Sequence, residues 1–370
     1  MNRKWLITGS YSLLHLLVDM ACAVLFYSIL HVPGIELPVV TSAVLAYDFF
    51  AFGLQLPFGM LADKWNRNAL VSAAGCVLVA LAFVFRPFAI FACVIAGVGN
   101  ALFHVGGGID VLNISEGKAT LPGIFVSTGA MGLYLGQKWF GISFMSIAMV
   151  GALLAGAAFL VWFHFRIRNV YQIQNAPCES VLGAFNLSET GRLILLCMVT
   201  TVCIRSCLGL GVEFSWLHGF RVGLAGVTAV VFGKACGGIL GDRFGWKRTS
   251  LVSLLLAAVF FFPAFNNIVC GLLALFFFNM TMPITLTVMA DLLPKRKGAA
   301  FGLASAMLFL GAGPVLVGFG GLLTQKETAV GLTLLSAAIL FYGLWRHEKP
   351  EEQETPDNGI GEKEWEENQS

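Results

Sequence analysis

Twelve runs of mainly apolar residues, each about as long as a bilayer is thick, follow one another with little between them. A helix crossing the roughly 30 Å hydrocarbon core needs about 20 such residues. Inside that core the backbone must satisfy its own hydrogen bonds, which leaves helices and closed barrels as the spanning structures. The runs lie near 5–29, 38–61, 69–86, 88–112, 120–137, 140–164, 193–214, 222–240, 249–266, 268–290, 299–323 and 328–345. They use most of the 370 residues and leave no room for a large soluble domain. Only 12% of the residues are charged and 57% are hydrophobic, which is about half the charge that a soluble surface carries. An all-α integral membrane protein of about twelve transmembrane helices, embedded in the lipid bilayer, is therefore expected. The first run is too long for the apolar region of a signal peptide, contains His15 and Asp19, and precedes no small-x-small cleavage site, so it reads as a retained span.

Loop charges orient the spans, because Lys and Arg are retained on the cytoplasmic side. With the N-terminus inside, seventeen of the 23 Lys and Arg fall in inner loops and termini, from Arg3 and Lys4 to Lys349 and Lys363. Only Arg86, Lys138, Arg221 and Lys326 fall outside, while Arg205 and Lys234 lie within spans. The alternation holds at every loop, which independently supports an even number of spans, with both termini in the cytoplasm. A net charge of +2 gives no basis for a nucleic-acid partner. Residues 347–370 hold nine acids and two lysines and read as a disordered acidic cytoplasmic tail. Without that tail the charge of residues 1–346 is +9.

The chain repeats itself. Gly59-Met60-Leu61-Ala62-Asp63 recurs as Gly238-Ile239-Leu240-Gly241-Asp242, 179 residues later. Asp110-x-Leu112 with Gly117 recurs as Asp291-x-Leu293 with Gly298, 181 residues later. Two matches at nearly one offset, in corresponding loops, argue for a duplicated six-span unit, one of the builds of secondary transporters. The expected organisation is a six-helix bundle over 1–165, a cytoplasmic linker over 166–192, a second bundle over 193–346 and the tail.

The segments Gly59 to Arg67 and Gly238 to Arg248 resemble the G-x-L-a-D-r-x-G-r-k signature of the major facilitator superfamily, at that family's positions between spans two and three and between spans eight and nine. The N-terminal copy carries Asn66 where the family prefers Gly. The resemblance implies the major facilitator fold, with Gly59, Asp63, Arg67, Gly238, Asp242, Arg243 and Lys247 forming a cytoplasmic latch made in one state and broken in the other. The physical basis is legible: glycines let helices approach, and an acid stabilises a neighbouring helix N-terminus. A narrower resemblance, to fosmidomycin-resistance-type efflux transporters, rests on His15-x-x-x-Asp19, on Gly99-Asn100-Ala101-Leu102-Phe103-His104 and on Arg205-Ser206. Span five departs from it, since Gln137 follows Gly136 where these proteins place Pro.

An ionisable residue at the bilayer centre costs on the order of 2.5–3.5 kcal/mol and marks a functional position by default. Those nearest mid-depth are His15, Asp19, Asp48, His104, Arg205 and Lys234, with Asn100 and Asn279 as polar companions. His15 and Asp19 are four residues apart and share a helix face, as do Asn100 and His104. Asp19 with His15 or His104 is the expected proton-handling group. Arg205, Asn100 and Asn279 are expected in the substrate cavity, Arg205 pairing with Asp19 or with an anionic substrate. Asp48 and Lys234 are expected to form a buried charge pair.

The nine cysteines include no C-x-x-C and read as small buried hydrophobes. Cys203 and Cys207, flanking Arg205, offer a soft-metal alternative, but no metal site is expected. No phosphate-binding loop, nucleophile elbow or zinc motif is present. The expected function is that of a secondary transporter rather than an enzyme, with the proton gradient as its energy source and no cofactor. It would act as a monomer in a bacterial plasma membrane, exporting a small organic molecule. Proton-coupled uptake of a sugar or organic acid is the alternative.

Overall fold

The computed structural model describes residues 3–167, 187–322 and 325–348. Most of the expected linker and tail lies outside these residues. Fourteen α-helices make up the described chain: α1 (Arg3–Leu30), α2 (Leu37–Asp48), α3 (Gln55–Trp65), α4 (Asn68–Ala82), α5 (Ala89–Ile114), α6 (Thr120–Trp139), α7 (Met145–Ile167), α8 (Glu189–Gly211), α9 (Phe220–Phe244), α10 (Trp246–Ala264), α11 (Ile268–Asn279), α12 (Met282–Leu292), α13 (Lys297–Leu316) and α14 (Lys326–Glu348). Spans two and ten are each built from two pieces. A π-helical turn at Phe49–Gly53 joins α2 to α3, and a turn at Met280–Thr281 joins α11 to α12. Counting each pair once leaves twelve spans, matching the expected boundaries to within about five residues except at the end of the eleventh, where α13 stops at Leu316 and not near 323.

Ten of these spans are long and apolar enough to cross a membrane by length and composition. The two exceptions have physical reasons. The regular helix of α4 ends at Ala82, and the chain continues through tighter three-residue turns to Phe85. Helix α6 has glycines at 123, 129, 132 and 136, which lower its hydropathy because it packs against protein rather than lipid. Outward faces carry Leu37, Val84, Ile147 and Val259, all exposed, the reverse of a soluble surface and suited to acyl chains.

The two most extensive contacts between the halves are α6 along α9 and α3 along α13. Both are glycine-lined. A Cβ on Gly59 would meet the Gly298 carbonyl, and one on Gly238 would meet the Ala119 carbonyl, so the backbones touch directly. Gly132 and Gly136 bring α6 equally close to Leu16 and Met20 of α1. Asn66 adopts the left-handed conformation at the end of α3, with φ 48°, where the second copy has Gly245 at φ 91°. Asn is among the few non-glycine residues that tolerate this region, so the departure from the signature preserves the turn.

Candidate transport site

Four side chains from two helices converge at mid-depth. Asp19 of α1 accepts a hydrogen bond from Asn100 Nδ2 of α5 at 2.9 Å. His15 Nε2 lies 3.2 Å from one Asp19 oxygen and His104 Nε2 lies 3.6 Å from the other. The two Nε2 atoms are 2.7 Å apart. All four residues are buried. Each imidazole turns its remaining nitrogen to a backbone carbonyl: His15 Nδ1 to Phe125 O at 2.7 Å, and His104 Nδ1 to Asn100 O at 2.8 Å. A carbonyl only accepts, so the hydrogen-bond network assigns the proton to Nδ1 in both rings. Gly129 of α6 closes the cluster, since a Cβ there would strike Asp19 Oδ2 and His15 Nε2. The sequence pairs His15 with Asp19 through helix spacing; only the packing of α1 on α5 brings in His104.

The donor atoms of His15, Asp19 and His104 lie within 4.8 Å of one another, a grouping that suits a small cation. The 2.7 Å separation of the nitrogens is that of a hydrogen bond. It is shorter than the roughly 3.3 Å between two nitrogens on a tetrahedral ion with ~2.05 Å bonds, so the geometry fits a proton better than a metal.

His15, Asp19 and His104 line an inner chamber of about 170 Å³, together with Phe52, Gln55, Arg205, Lys234, Thr285 and Ser305. An outer chamber of about 420 Å³ shares Phe52, Leu133, Arg205, Lys234, Met282 and Leu308 with it, and extends past Asp48 and Asn279 to Val212 and Leu316. Val212 and Leu316 lie at the outer ends of α8 and α13. The chambers therefore run from mid-depth toward the end opposite the basic loops. Arg205 Nη1 donates to Thr285 Oγ1 at 3.2 Å, and Asn279 donates to Leu275 O within its own helix.

Three expectations change. Asn100 is 1% exposed and lines neither chamber; it lies behind Asp19 and positions that carboxylate. Lys234 and Asp48 do not pair: Lys234 Nζ faces Val126 O at 3.5 Å, and both residues line the outer chamber instead. Arg205 does not pair with Asp19 either, and no carboxylate among the described residues lies within ion-pair distance of it. The uncharged lining residues Phe52, Thr285 and Ser305 carry no sequence signal, because their burial in a span costs little, whereas Gln55 is a buried amide whose Oε1 has no hydrogen-bond partner among the described residues. The break at Phe49–Gly53 is the one clue near them, since π-turns concentrate at functional sites.

At the basic end both acids of the repeated motif act across the halves. Asp63 accepts from the Gly298 and Ala299 amides at 2.8 and 2.9 Å. Asp242 accepts from the Ala119 and Thr120 amides at 2.9 and 2.8 Å, from the Thr120 hydroxyl at 2.6 Å and from Trp246 Nε1 at 3.1 Å. Neither α6 nor α13 has a side-chain cap of its own, so each helix start is capped by an acid of the opposite half. Of the basic motif residues, Lys247 pairs with Glu348, Arg243 lies over the Phe244 ring, and Arg67 lines a surface groove with Lys64.

Residues 194–367 match the family model of the Major Facilitator Superfamily, and no curated protein sequence matches the chain. Three solved structures share the architecture. The proton:xylose symporter XylE, bound to 6-bromo-6-deoxy-D-glucose, aligns over 92% of this chain and 95% of its own at 13% identity, with a TM-score of 0.63. A bacterial homologue of the iron transporter ferroportin, in an outward-facing state, aligns over 92% and 98% at 16% identity, with a TM-score of 0.62. The human organic anion transporter MFSD10 aligns over 92% and 100% at 15% identity, with a TM-score of 0.61. The matched model and these three structures are of transporters, not enzymes. The chain has the major facilitator fold, and its second half matches that superfamily's own sequence pattern.

Proposed function

We propose that this protein is a proton-coupled secondary transporter that moves a small organic molecule by alternating access. The carrying observation is the 2.7 Å contact between His15 Nε2 and His104 Nε2. With each Nδ1 proton donated to a carbonyl, that contact is a hydrogen bond only when one further proton lies between the rings. Asp19 stands beside both nitrogens and balances the added charge. The cluster is then neutral with one proton and carries −1 without it.

Alternating access is supported by the two cross-half caps, which close the basic end while the chambers extend the other way. Asp63 and Asp242 are acceptors that separation of the halves would release to water. Such contacts are suited to being made in one state and broken in the other. The reading places the chain in a bacterial plasma membrane as a monomer, with the basic end in the cytoplasm and the proton gradient as its energy source.

The resemblance to fosmidomycin-resistance-type exporters supports efflux, and the residues that carry it, His15, Asp19, Asn100, His104 and Arg205, converge on or directly behind the chambers. Uptake with a proton is the second reading. It is favoured by Arg205 and Lys234, two cations that face the chambers without a carboxylate partner.

Proteoliposomes under an imposed pH gradient test the proposal. Flux of a transported compound should be accompanied by proton movement, opposite in direction for export and in the same direction for uptake. Full pH-driven transport by the Asp19→Asn variant would refute the proton site.

A further inference from the structure

The two cations that line both chambers have no ion-pair partner among the described residues. Arg205 is 7% exposed and its guanidinium offers five donors. Among the described residues its one hydrogen bond is to Thr285 Oγ1, a hydroxyl that gives its own proton to Met282 O. Lys234 Nζ has only the distant Val126 carbonyl among the described residues. Neither is in an ion pair among the described residues. Two cations in a membrane interior call for a counter-charge, and the protein supplies one through Asp19, which lines the same inner chamber.

That counter-charge depends on the proton. With the His15–His104 proton absent, the cluster carries −1 and faces Arg205 and Lys234. With the proton present the cluster is neutral, and only Asp48 in the outer chamber remains to oppose the two cations, which leaves room for the charge of one incoming anion. The other titratable groups nearby are Cys22, which accepts from Asn100 Nδ2 at 3.7 Å, Tyr47 beside Cys22, and Asp48 in the outer chamber. None of them is placed between the cluster and the cations as a lining group of the inner chamber. The remaining shared walls are apolar: Phe52, Leu133, Met282 and Leu308.

We propose, on the basis of the proton reading above, that the cavity takes an amphipathic organic monoacid and loads it together with a proton. The carboxylate sits on Arg205 and Lys234, the apolar body extends along Phe52, Leu133 and Met282, and the proton sits between His15 and His104. Each ligand removes the charge that opposes the other, so proton and acid bind with positive coupling, and by linkage the coupling is reciprocal. Positive coupling is the thermodynamic requirement of symport, whereas antiport needs the two to exclude each other. One proton and one monoanion cross without net charge, so transport responds to ΔpH and not to voltage.

Thermal-shift and proton-uptake measurements on the full chain in detergent provide the test, with benzoate, hexanoate and lactate as probes and with benzamide and benzylamine as neutral and cationic isosteres. At least one acid should stabilise the protein, bind roughly 5–150-fold more tightly at low than at high pH, and take up protons as it binds. Arg205→Gln and Lys234→Gln should each abolish the effect, and Arg205→Lys should recover part of it. If Arg205→Gln does not fold, Lys234→Gln with its rescue by Lys234→Arg carries the same test. Asp19→Asn should bind the acid at every pH with no pH dependence. Equal binding of the amide or amine, proton release on acid binding, no response to any acid, or undiminished binding in both glutamine variants would each overturn the proposal. Retained pH dependence in Asp19→Asn would overturn the joint loading through the proton site itself. Failure of the acids alone would remove the acid class and leave the proton reading standing.

Discussion

Asp242 holds Thr120 twice across the boundary between the two halves, through the amide at 2.8 Å and the hydroxyl at 2.6 Å. Asp63 makes the reciprocal contact with Gly298 and Ala299. The repeat visible in the sequence has therefore become a pair of symmetry-related caps, and both act on helices that lack one of their own.

Removing one cap should open the basic end. Hydrogen bonds to a charged acceptor contribute about 1.5–3 kcal/mol each, so Asp242→Ala should shift the closed-to-open ratio by at least tenfold. Labelling of a cysteine introduced at Ser305, on the inner-chamber wall, by an impermeant thiol reagent from the cytoplasmic side should rise accordingly. Because Cys22, Cys203 and other native thiols are present, the comparison is with the same variant carrying intact Asp242.

Gly129→Ala should disable coupling without preventing insertion. Its Cβ would collide with Asp19 and His15, and overpacking of this kind costs about 1–3 kcal/mol. The collision forces apart the groups that share the proton. Substrate-for-substrate exchange, which needs no net proton movement, should persist while pH-driven accumulation falls. Equal loss of both would show a folding defect instead.

His104→Gln should retain a hydrogen bond to its surroundings but cannot hold the bridging proton. Proton-driven transport is expected to fall by at least tenfold, with the melting temperature within a few degrees of the parent. Parent-like pH-driven flux in this variant would remove His104 from the coupling group.

Chelator treatment should leave transport unchanged, because the 2.7 Å nitrogen separation matches a proton bridge. Loss of activity in EDTA, restored by a divalent transition ion, would show that the three donors are occupied by a metal.

The sequence alone carried the architecture. Run length, loop charge and a duplicated motif are each imposed by the bilayer itself, through its thickness, its exclusion of unsatisfied backbone and its retention of basic loops. Local helix spacing likewise placed His15 with Asp19 and Asn100 with His104. Partners across helices were less accessible. Asp48 and Lys234 looked complementary as charges at similar depth, but depth says nothing about azimuth, and they line one chamber without meeting. Asn100 looked like a cavity residue because it is polar, and the packing of α5 on α1 puts it behind Asp19.

The amino-acid order thus determined that this chain spans a membrane in two repeated halves and carries charges at mid-depth. The tertiary structure decided which of those charges meet. His15, Asp19 and His104 form one group because α1 packs on α5, while Gly129, Gly132 and Gly136 let α6 close over the α1 side of it. Among the described residues no carboxylate lies within ion-pair distance of Arg205 or Lys234, although Asp19 and Asp48 line the same chambers. Helix periodicity fixes directions within a span. Only the contacts between spans fix which directions converge.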